Sequence, residues 1–127
     1  MINLSWKSFD SAVKLAVTKY KDQKFAGVYG IPRGGLCLAV AISHHLKIPL
    51  LDLPQDNSLI VDDIYDSGKT LEKYKNYKNA SYFVLISKQD PTYFSSFITT
   101  KSNEWVIFPW ENVENAKTDK EEYYAKN

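Results

Sequence analysis

The sequence predicts an α/β fold with a mainly parallel central sheet and helices on its flanks. Three continuous apolar runs alternate with helical stretches, a pattern typical of βαβ units. Such uninterrupted runs suit strands that are buried on both faces, as they are in parallel sheets. Glycine-rich or acidic loops follow two of the runs. A chain of 127 residues can bury a core without disulfides, so we assign residues 1–127 to one domain.

The elements follow one another in a regular order. Ser5 can cap a first helix that runs to about Tyr20, with Phe9, Val13 and Ala16 on its apolar stripe. After it we expect a strand at 25–29, a helix at 36–46, a short strand at 48–51, a strand that begins at 59, a short helix at 69–77 and a strand at 81–87. Residues 112–127 are polar and charged, which indicates a solvated tail or a terminal helix.

Composition excludes several classes of function. The net charge of +1 gives no general electrostatic reason to expect nucleic acid or a membrane surface as partner. No apolar run approaches the roughly 18 residues that span a bilayer. The N-terminus lacks the basic-then-apolar layout of a signal peptide. Cys37 is the only cysteine, so no internal disulfide can form, and we expect a cytoplasmic protein.

The most informative segment is residues 59–71, which read LIVDDIYDSGKTL. An apolar strand leads into Asp62 and Asp63, and ligands bind at the carboxyl ends of strands in open α/β sheets. Two neighbouring carboxylates can accept hydrogen bonds from a vicinal diol or anchor a hydrated divalent cation. Gly68 lets backbone N–H groups converge on a phosphate where a helix begins near Lys69. The segment therefore suits a sugar together with its phosphate.

The same residues allow two other interpretations. Gly68, Lys69 and Thr70 match the end of a nucleotide-hydrolysing P-loop, but that motif needs a glycine five positions earlier, where Asp63 stands. A carboxylate there would repel polyphosphate, so we reject the P-loop. The other interpretation is a strand-turn-helix junction without a ligand.

A second loop, residues 30–35 (GIPRGG), also leaves a strand end ahead of a helix. Its glycines let the backbone approach a ligand closely. Arg33 is the only arginine among sixteen basic residues. A planar fork that grips two oxygens at once is what arginine offers and lysine does not. The loop therefore indicates an anion site, against the alternative of a glycine-rich turn with a solvated arginine.

The 59–71 segment resembles the signature of the type I phosphoribosyltransferases. The resemblance implies that Asp62 and Asp63 face the ribose hydroxyls of phosphoribosyl pyrophosphate, and that Asp63 holds Mg²⁺. It implies that the loop that follows wraps the 5-phosphate. The 30–35 loop would bind pyrophosphate through Arg33 and Gly34, and in this family it often contains a non-proline cis peptide. The residues so assigned in the signature are Asp62, Asp63, Ile64, Tyr65, Asp66, Ser67, Gly68, Lys69 and Thr70.

The later part of the chain is similar to the bacterial xanthine-guanine phosphoribosyltransferases. Lys88 follows the 81–87 strand, and the segment 105–111 (WVIFPWE) comes about twenty residues later. The resemblance implies that Lys88 bonds the purine 6-oxygen, that Trp105, Val106 and Ile107 stack on the base and read its edge, and that Asp66 lies near purine N7. Residues 88–111 would form a small base-binding hood. The alternative is that the tryptophans pack and Lys88 is a surface residue.

One departure from the family concerns the 29 residues from Arg33 to Asp62. They leave no room for the flexible hairpin that closes the active site in most members. Two hypotheses stay open: a purine-salvage enzyme that transfers phosphoribosyl to N9 of hypoxanthine, guanine or xanthine, or a nucleotide-binding regulatory module without efficient transfer. A transferase acting on another base is a third. The resemblance also implies a homodimer, for which Tyr93, Phe94 and Phe97 were expected to be exposed.

Overall fold

A central parallel sheet carries the fold in the computed structural model, which describes residues 1–126. Residue 127, the last of the predicted polar tail, lies outside the described residues. In chain order the elements are β1 Ile2–Asn3, α1 Trp6–Tyr20, β2 Gly27–Gly30, α2 Leu36–Leu46, β3 Ser58–Tyr65, α3 Lys69–Glu72, β4 Ser81–Ser87, β5 Ser95–Thr99, β6 Val106–Ile107 and α4 Val113–Lys126. The sheet order is β2-β3-β4-β5, with every pair parallel, which confirms the predicted α/β class.

The two faces of the sheet are covered differently. Leu59 and Val61 of β3 pack with α1 and α2 in one apolar cluster, whereas Ile60 belongs to a second cluster on the other face. This alternation follows from the two-residue period of a strand. The second face is rich in tyrosine, and α3 with the turns after it covers that face. Both faces of the sheet are thus buried, as the continuous apolar runs predicted.

The first two helices form where the sequence placed them. The Ser5 side chain accepts a hydrogen bond from the Ser8 N–H at 3.1 Å and caps α1, whose buried residues are the predicted stripe extended by Ala12 and Tyr20. The second helix ends at Lys47, which adopts a left-handed conformation with φ 55°. These elements place the loop before α2 against the carboxyl end of β3.

Two predicted elements are shorter in the structure. The strand expected at 48–51 is reduced to one bridge between Val28 and Leu50, because Pro49 has no N–H to extend a ladder. The helix expected at 69–77 ends at Glu72. Beyond it the backbone makes bonds over three residues, such as Tyr74 N–H to Leu71 C=O at 3.0 Å, so the chain continues as tight turns.

The strand β5 was missed, and with it the expectation of exposed aromatics was wrong in part. Phe94, just before β5, is only 5% exposed, and its ring stacks on Tyr65 with centroids 4.3 Å apart. Tyr93 and Phe97 are half-buried. Burial removes Phe94 from any interface, and the predicted homodimer stays a prediction.

A second, two-stranded parallel sheet joins the N-terminus to the segment after Trp105. The Ile2 N–H donates to the Trp105 carbonyl and the Leu4 N–H to the Ile107 carbonyl, both at 2.9 Å. An ion pair between the Met1 amino group and Glu104 at 3.3 Å adds to this attachment. The predicted hood region is therefore held to the body from the N-terminus. Among residues 1–126, no helix is long and apolar enough to cross a membrane.

Candidate active site

The acidic pair lies near the end of β3 rather than beyond it. The strand continues through Ile64 and Tyr65, which pair with Ile86 and Ser87 of β4. Asp62 is only 6% exposed, and its Oδ1 accepts a hydrogen bond from the Asp63 N–H at 2.9 Å. Burial, with repulsion from the neighbouring carboxylate second, raises the pKa of Asp62 to about 8. Burial also raises the pKa of Asp63. Both carboxyls are therefore costly to ionise until a ligand compensates them.

The glycine-rich loop lies directly against the acidic pair of β3. The Pro32–Arg33 peptide is cis, as predicted for this loop. A Cβ placed on Gly34 would collide with the Asp63 carboxylate, and one on Gly35 would stand 2.5 Å from the Val61 carbonyl. Glycine at both positions is what allows the loop to lie against β3. The Arg33 side chain is exposed at this edge. Burial raises the pKa of Glu111, and the charge of the nearby Arg33 offsets part of that rise.

The predicted phosphate loop is tightly held. Gly68 has φ 87°, a left-handed conformation that favours glycine, and a Cβ there would meet the Tyr65 hydroxyl at 2.5 Å. The side-chain amide of Gln89 donates to the Asp66 carbonyl at 2.6 Å and fixes the start of the loop to the end of β4. The loop thus leads from β3 into α3 with a fixed backbone conformation.

A cavity of about 760 Å³ opens at this edge of the sheet. The predicted site residues that line it are Asp63, Ile64, Tyr65, Asp66, Ser67, Gly68, Thr70, Lys88, Trp105 and Val106. Five others do not line it: Arg33, Gly34, Asp62, Lys69 and Ile107. Asp62 lies buried beside Asp63, and Gly34 lies against the Asp63 carboxylate. Those two therefore adjoin the cavity through Asp63, whereas Ile107 is buried in the hood strand.

Lys88 lines the cavity and also holds the neighbouring backbone in place through hydrogen bonds. Its ammonium donates to the Ser102 carbonyl at 2.7 Å and to the Glu104 carbonyl at 2.6 Å. The backbone N–H of Lys88 also donates to the Tyr65 carbonyl at 2.8 Å. Since an ammonium has three donors, one remains for a ligand. The alternative of a solvated surface lysine is wrong.

The hood strand offers one backbone edge to the cavity. Trp105 and Ile107 turn their carbonyls toward β1, where Ile2 and Leu4 donate to them. Because backbone groups alternate along a strand, the N–H and C=O of Val106 point the other way, and Val106 lines the cavity. Trp110, in contrast, stacks on Phe108 with centroids 5.1 Å apart and serves packing.

Known proteins resemble this chain across most of its length. A xanthine-guanine phosphoribosyltransferase from Cereibacter sphaeroides is 32% identical over 113 residues, which cover 66% of this chain and 68% of that protein. One from Roseobacter denitrificans is 42% identical over 71 residues, or 52% of this chain and 40% of that protein. The crystal structure of a purine phosphoribosyltransferase from Pyrococcus horikoshii Ot3 superposes with a TM-score of 0.72 at 28% identity, and the match covers 87% of this chain and 94% of that chain. No family model matches the sequence.

The chain belongs to the type I phosphoribosyltransferase family. The xanthine-guanine phosphoribosyltransferases are among its relatives, although this chain spans less than half the length of the Roseobacter protein that it matches.

As a phosphoribosyltransferase, the chain differs from the family pattern between Lys47 and Asn57. This stretch contains one bridge residue, Leu50, and turns, with no hairpin. The expectation from the short spacing before Asp62 is thus confirmed. No residue of this stretch lines the cavity, so the stretch does not cover the edge of the cavity nearest Arg33.

Sequence reasoning missed several residues of this candidate site. Gln89 supports the predicted phosphate loop, and Lys101 lines the cavity and pairs with Asp90 at 3.3 Å. Tyr123 and Tyr124 of α4 also line the cavity. Gln89 was within reach of a prediction, because it follows a strand end next to Lys88. The tyrosines were not, because they lie in a charged stretch that the sequence assigns to solvent.

The acidic pair also fits the divalent cation that this family's chemistry implies. Asp62 is buried and lies beside the half-buried Asp63, and a cation would offset both the burial and the repulsion that raise the pKa of Asp62. Within residues 1–126 no three acidic, histidine or cysteine side chains converge as a protein-only metal cage. The fit is thus to an ion that also takes ligands from a bound substrate.

Proposed function

We propose that this protein is a purine phosphoribosyltransferase that transfers the phosphoribosyl group of phosphoribosyl pyrophosphate to N9 of a 6-oxopurine. One observation supports this most strongly: the acidic strand end, the phosphate loop and the Lys88–Trp105 wall line a single cavity. Its volume of about 760 Å³ is in the range of small-molecule sites. The products would be a nucleoside monophosphate and pyrophosphate.

The sugar and its phosphate would be held by β3 and the loop after it. Asp62 and Asp63 accept hydrogen bonds from the two ribose hydroxyls, and the backbone N–H groups from Ser67 to Thr70 bind the 5-phosphate. Positioning of this kind supplies much of the rate in a transfer between two bound reactants. The buried setting of Asp62 supports this role, because a diol replaces water that burial has removed.

The reaction breaks the bond between C1 and the pyrophosphate oxygen and forms the bond from C1 to N9. Positive charge develops on the ribose and negative charge on the departing pyrophosphate. The Arg33 guanidinium and the N–H groups of residues 33–35 would receive the pyrophosphate. Asp63 would hold Mg²⁺ together with substrate oxygens, and the ion would supply charge neutralisation on the leaving group.

The base would lie between Lys88 and the hood. The third ammonium donor of Lys88 suits the 6-oxygen, which is an acceptor, and the Val106 backbone suits the edge of the ring. Trp105 offers a flat π-face. The Asp66 carboxylate accepts the N7 proton that the base must lose when N9 bonds to C1. These contacts favour a 6-oxopurine over adenine, whose 6-amino group would meet the ammonium donor to donor.

A second candidate is a nucleotide-binding regulatory protein of the same fold. It is favoured by the missing hairpin between Lys47 and Asn57, because closure excludes water from a reactive sugar cation. Calorimetry separates the two: tight binding of phosphoribosyl pyrophosphate or a nucleotide without turnover supports the regulatory role, and ready turnover excludes it.

The variant Asp63→Ala tests the enzymatic assignment. We expect turnover of phosphoribosyl pyrophosphate with guanine to fall at least about 100-fold, because the variant loses both a ribose contact and the cation ligand. Asp22→Ala is the control, since Asp22 is an exposed carboxylate outside the cavity lining. Equal turnover in the two variants would contradict the role of Asp63. A homodimer and a cytoplasmic role in purine salvage stay predictions of the family resemblance.

A further inference from the structure

The C-terminal helix brings two aromatic side chains onto the predicted base-binding wall. The rings of Tyr123 and Tyr124 lie 5.5 and 6.1 Å from the Trp105 ring, measured between centroids. Both tyrosines line the cavity together with Asp66 and Lys88. The two side chains leave the helix about 100° apart, and both rings still reach Trp105. The end of α4 therefore lies along the rim of the cavity.

The two hydroxyls have different partners. The Tyr123 hydroxyl donates to Oδ2 of Asp66 at 3.2 Å, across 57 residues of sequence. The Tyr124 hydroxyl donates to the Asn103 carbonyl at 3.3 Å and so contacts the hood backbone. Only the first of these bonds reaches a group that the proposed reaction uses.

Asp66 is fixed at two points as a result. Gln89 holds its backbone carbonyl, and Tyr123 holds one carboxylate oxygen. The second oxygen is left to face a ligand. A carboxylate that accepts a proton from a base must hold the accepting oxygen in one orientation. A hydrogen bond to the other oxygen restricts rotation of the carboxylate and so maintains that orientation.

We propose that Tyr123 is a positioning residue for the base, acting through Asp66, and that α4 is part of the active site rather than a solvated tail. The inference rests on the proposed function, because it assigns Asp66 to the purine N7. Through the Asp66 bond Tyr123 governs how the base is held, whereas the ribose and phosphate contacts of β3 do not depend on it.

The hydroxyl is tested with the pair Tyr123→Phe and Tyr124→Phe, each of which removes one oxygen and keeps the ring. We expect Tyr123→Phe to lower kcat/KM for the base about tenfold, with KM for phosphoribosyl pyrophosphate nearly constant. Tyr124→Phe should cost about twofold or less, because its partner is a neutral carbonyl. Thermal melts establish that both variants fold. Equal losses in the two variants would overturn the proposal.

A double-mutant cycle with Asp66→Asn separates positioning from a general structural effect. If Tyr123 acts through Asp66, Tyr123→Phe should change kcat/KM by less than about twofold in the Asp66→Asn background. The same tenfold loss in both backgrounds would contradict the proposal.

Direct binding distinguishes failure of this inference from failure of the proposed function. If the wild type turns over none of the three 6-oxopurines, the transferase assignment fails, and calorimetry with free hypoxanthine, whose imidazole ring still carries a proton for Asp66 to accept, decides the inference instead. Weaker binding by Tyr123→Phe than by Tyr124→Phe supports it. Equal binding by the two variants, or no binding by the wild type, overturns it.

Discussion

At the scale of single residues, the site concentrates ionisable groups that form no ion pair among the described residues. Asp62 is buried beside the half-buried Asp63, and the Arg33 side chain is exposed in the adjoining glycine loop. Such groups serve a ligand better than they serve the fold. Substitutions should therefore separate stability from function.

Asp62→Asn should stabilise the unliganded protein at high pH while abolishing turnover. The raised pKa means that folded Asp62 keeps a proton that the unfolded chain releases near its ordinary value of about 3.9. The free energy of unfolding therefore falls as pH rises from about 4 to about 8. An asparagine has no such proton, so at about pH 8 we expect a gain of up to about 5 kcal/mol over the wild type, because each unit of pKa difference is worth about 1.4 kcal/mol.

Urea denaturation of Asp62→Asn and the wild type at the two ends of that pH range measures the effect. The stability difference should grow with pH. A variant that is less stable than the wild type at both ends would contradict the electrostatic account.

Arg33→Lys should behave like Arg33→Ala, although it keeps the charge. The proposed role is a planar grip on two pyrophosphate oxygens, which an ammonium cannot reproduce. We expect kcat to fall about 100-fold in both variants. Steady-state kinetics decides the point, and near-wild-type activity of Arg33→Lys would exclude the bidentate grip.

At the scale of elements, the loop between β2 and α2 depends on close backbone approach. Gly35 lies against the backbone of β3 and Gly34 against the carboxylate of Asp63. The backbone beside Gly35 is rigid, whereas the neighbour of Gly34 is a side chain. Substitutions at the two glycines should therefore have different effects.

Gly35→Ala should cost stability, and Gly34→Ala should cost activity. A methyl at Gly35 would stand 2.5 Å from the Val61 carbonyl, so the strand or the loop must shift, at about 1–3 kcal/mol. A methyl at Gly34 displaces only the Asp63 carboxylate, so turnover should fall more than stability does. Denaturation and kinetics on both variants test this, and a reversed order would refute the packing argument.

The sequence predicted those elements whose buried residues form a continuous apolar pattern along the chain. The strands β3 and β4 and the helices α1 and α2 are apolar along their buried faces. The strand β5 escaped prediction because serine and threonine flank Phe97 and Ile98 at the sheet edge, where solvent covers one side. The two-residue strands β1 and β6 are too short for any period, and only their pairing across the chain defines them.

The same reasoning explains which parts of the site could be predicted from the sequence. The half that we propose to bind the sugar phosphate is contiguous in sequence, so a role for residues 62–70 could be predicted from their order alone. The contact between Tyr123 and Asp66 joins parts of the chain 57 residues apart and depends on where a polar helix comes to rest. Neither charge nor periodicity in residues 112–127 specifies that position.

At the scale of the whole molecule, the cavity is covered unequally. The hood and α4 enclose the side of Lys88 and Trp105, whereas the short connection at residues 47–57 leaves the side of Arg33 exposed. If phosphoribosyl pyrophosphate binds as proposed, water can therefore reach its pyrophosphate end. Enzymes that close over such a substrate suppress its hydrolysis.

We expect slow release of pyrophosphate from phosphoribosyl pyrophosphate in the absence of any base. The open side admits water as the acceptor, so hydrolysis should proceed at a steady rate and be suppressed when a 6-oxopurine is added. A coupled pyrophosphate assay follows this, with Asp63→Ala as the control for contaminating activity. No release above that control would show that water is excluded by other means.

The most direct test of the central claim is a spectrophotometric assay with phosphoribosyl pyrophosphate, Mg²⁺ and hypoxanthine, guanine or xanthine in turn. The arrangement of Asp63, Asp66, Lys88 and Trp105 around one cavity predicts that at least one base is converted to its nucleoside monophosphate, with an equal amount of pyrophosphate. Formation of no nucleotide with any of the three would contradict the claim that this site catalyses purine phosphoribosyl transfer.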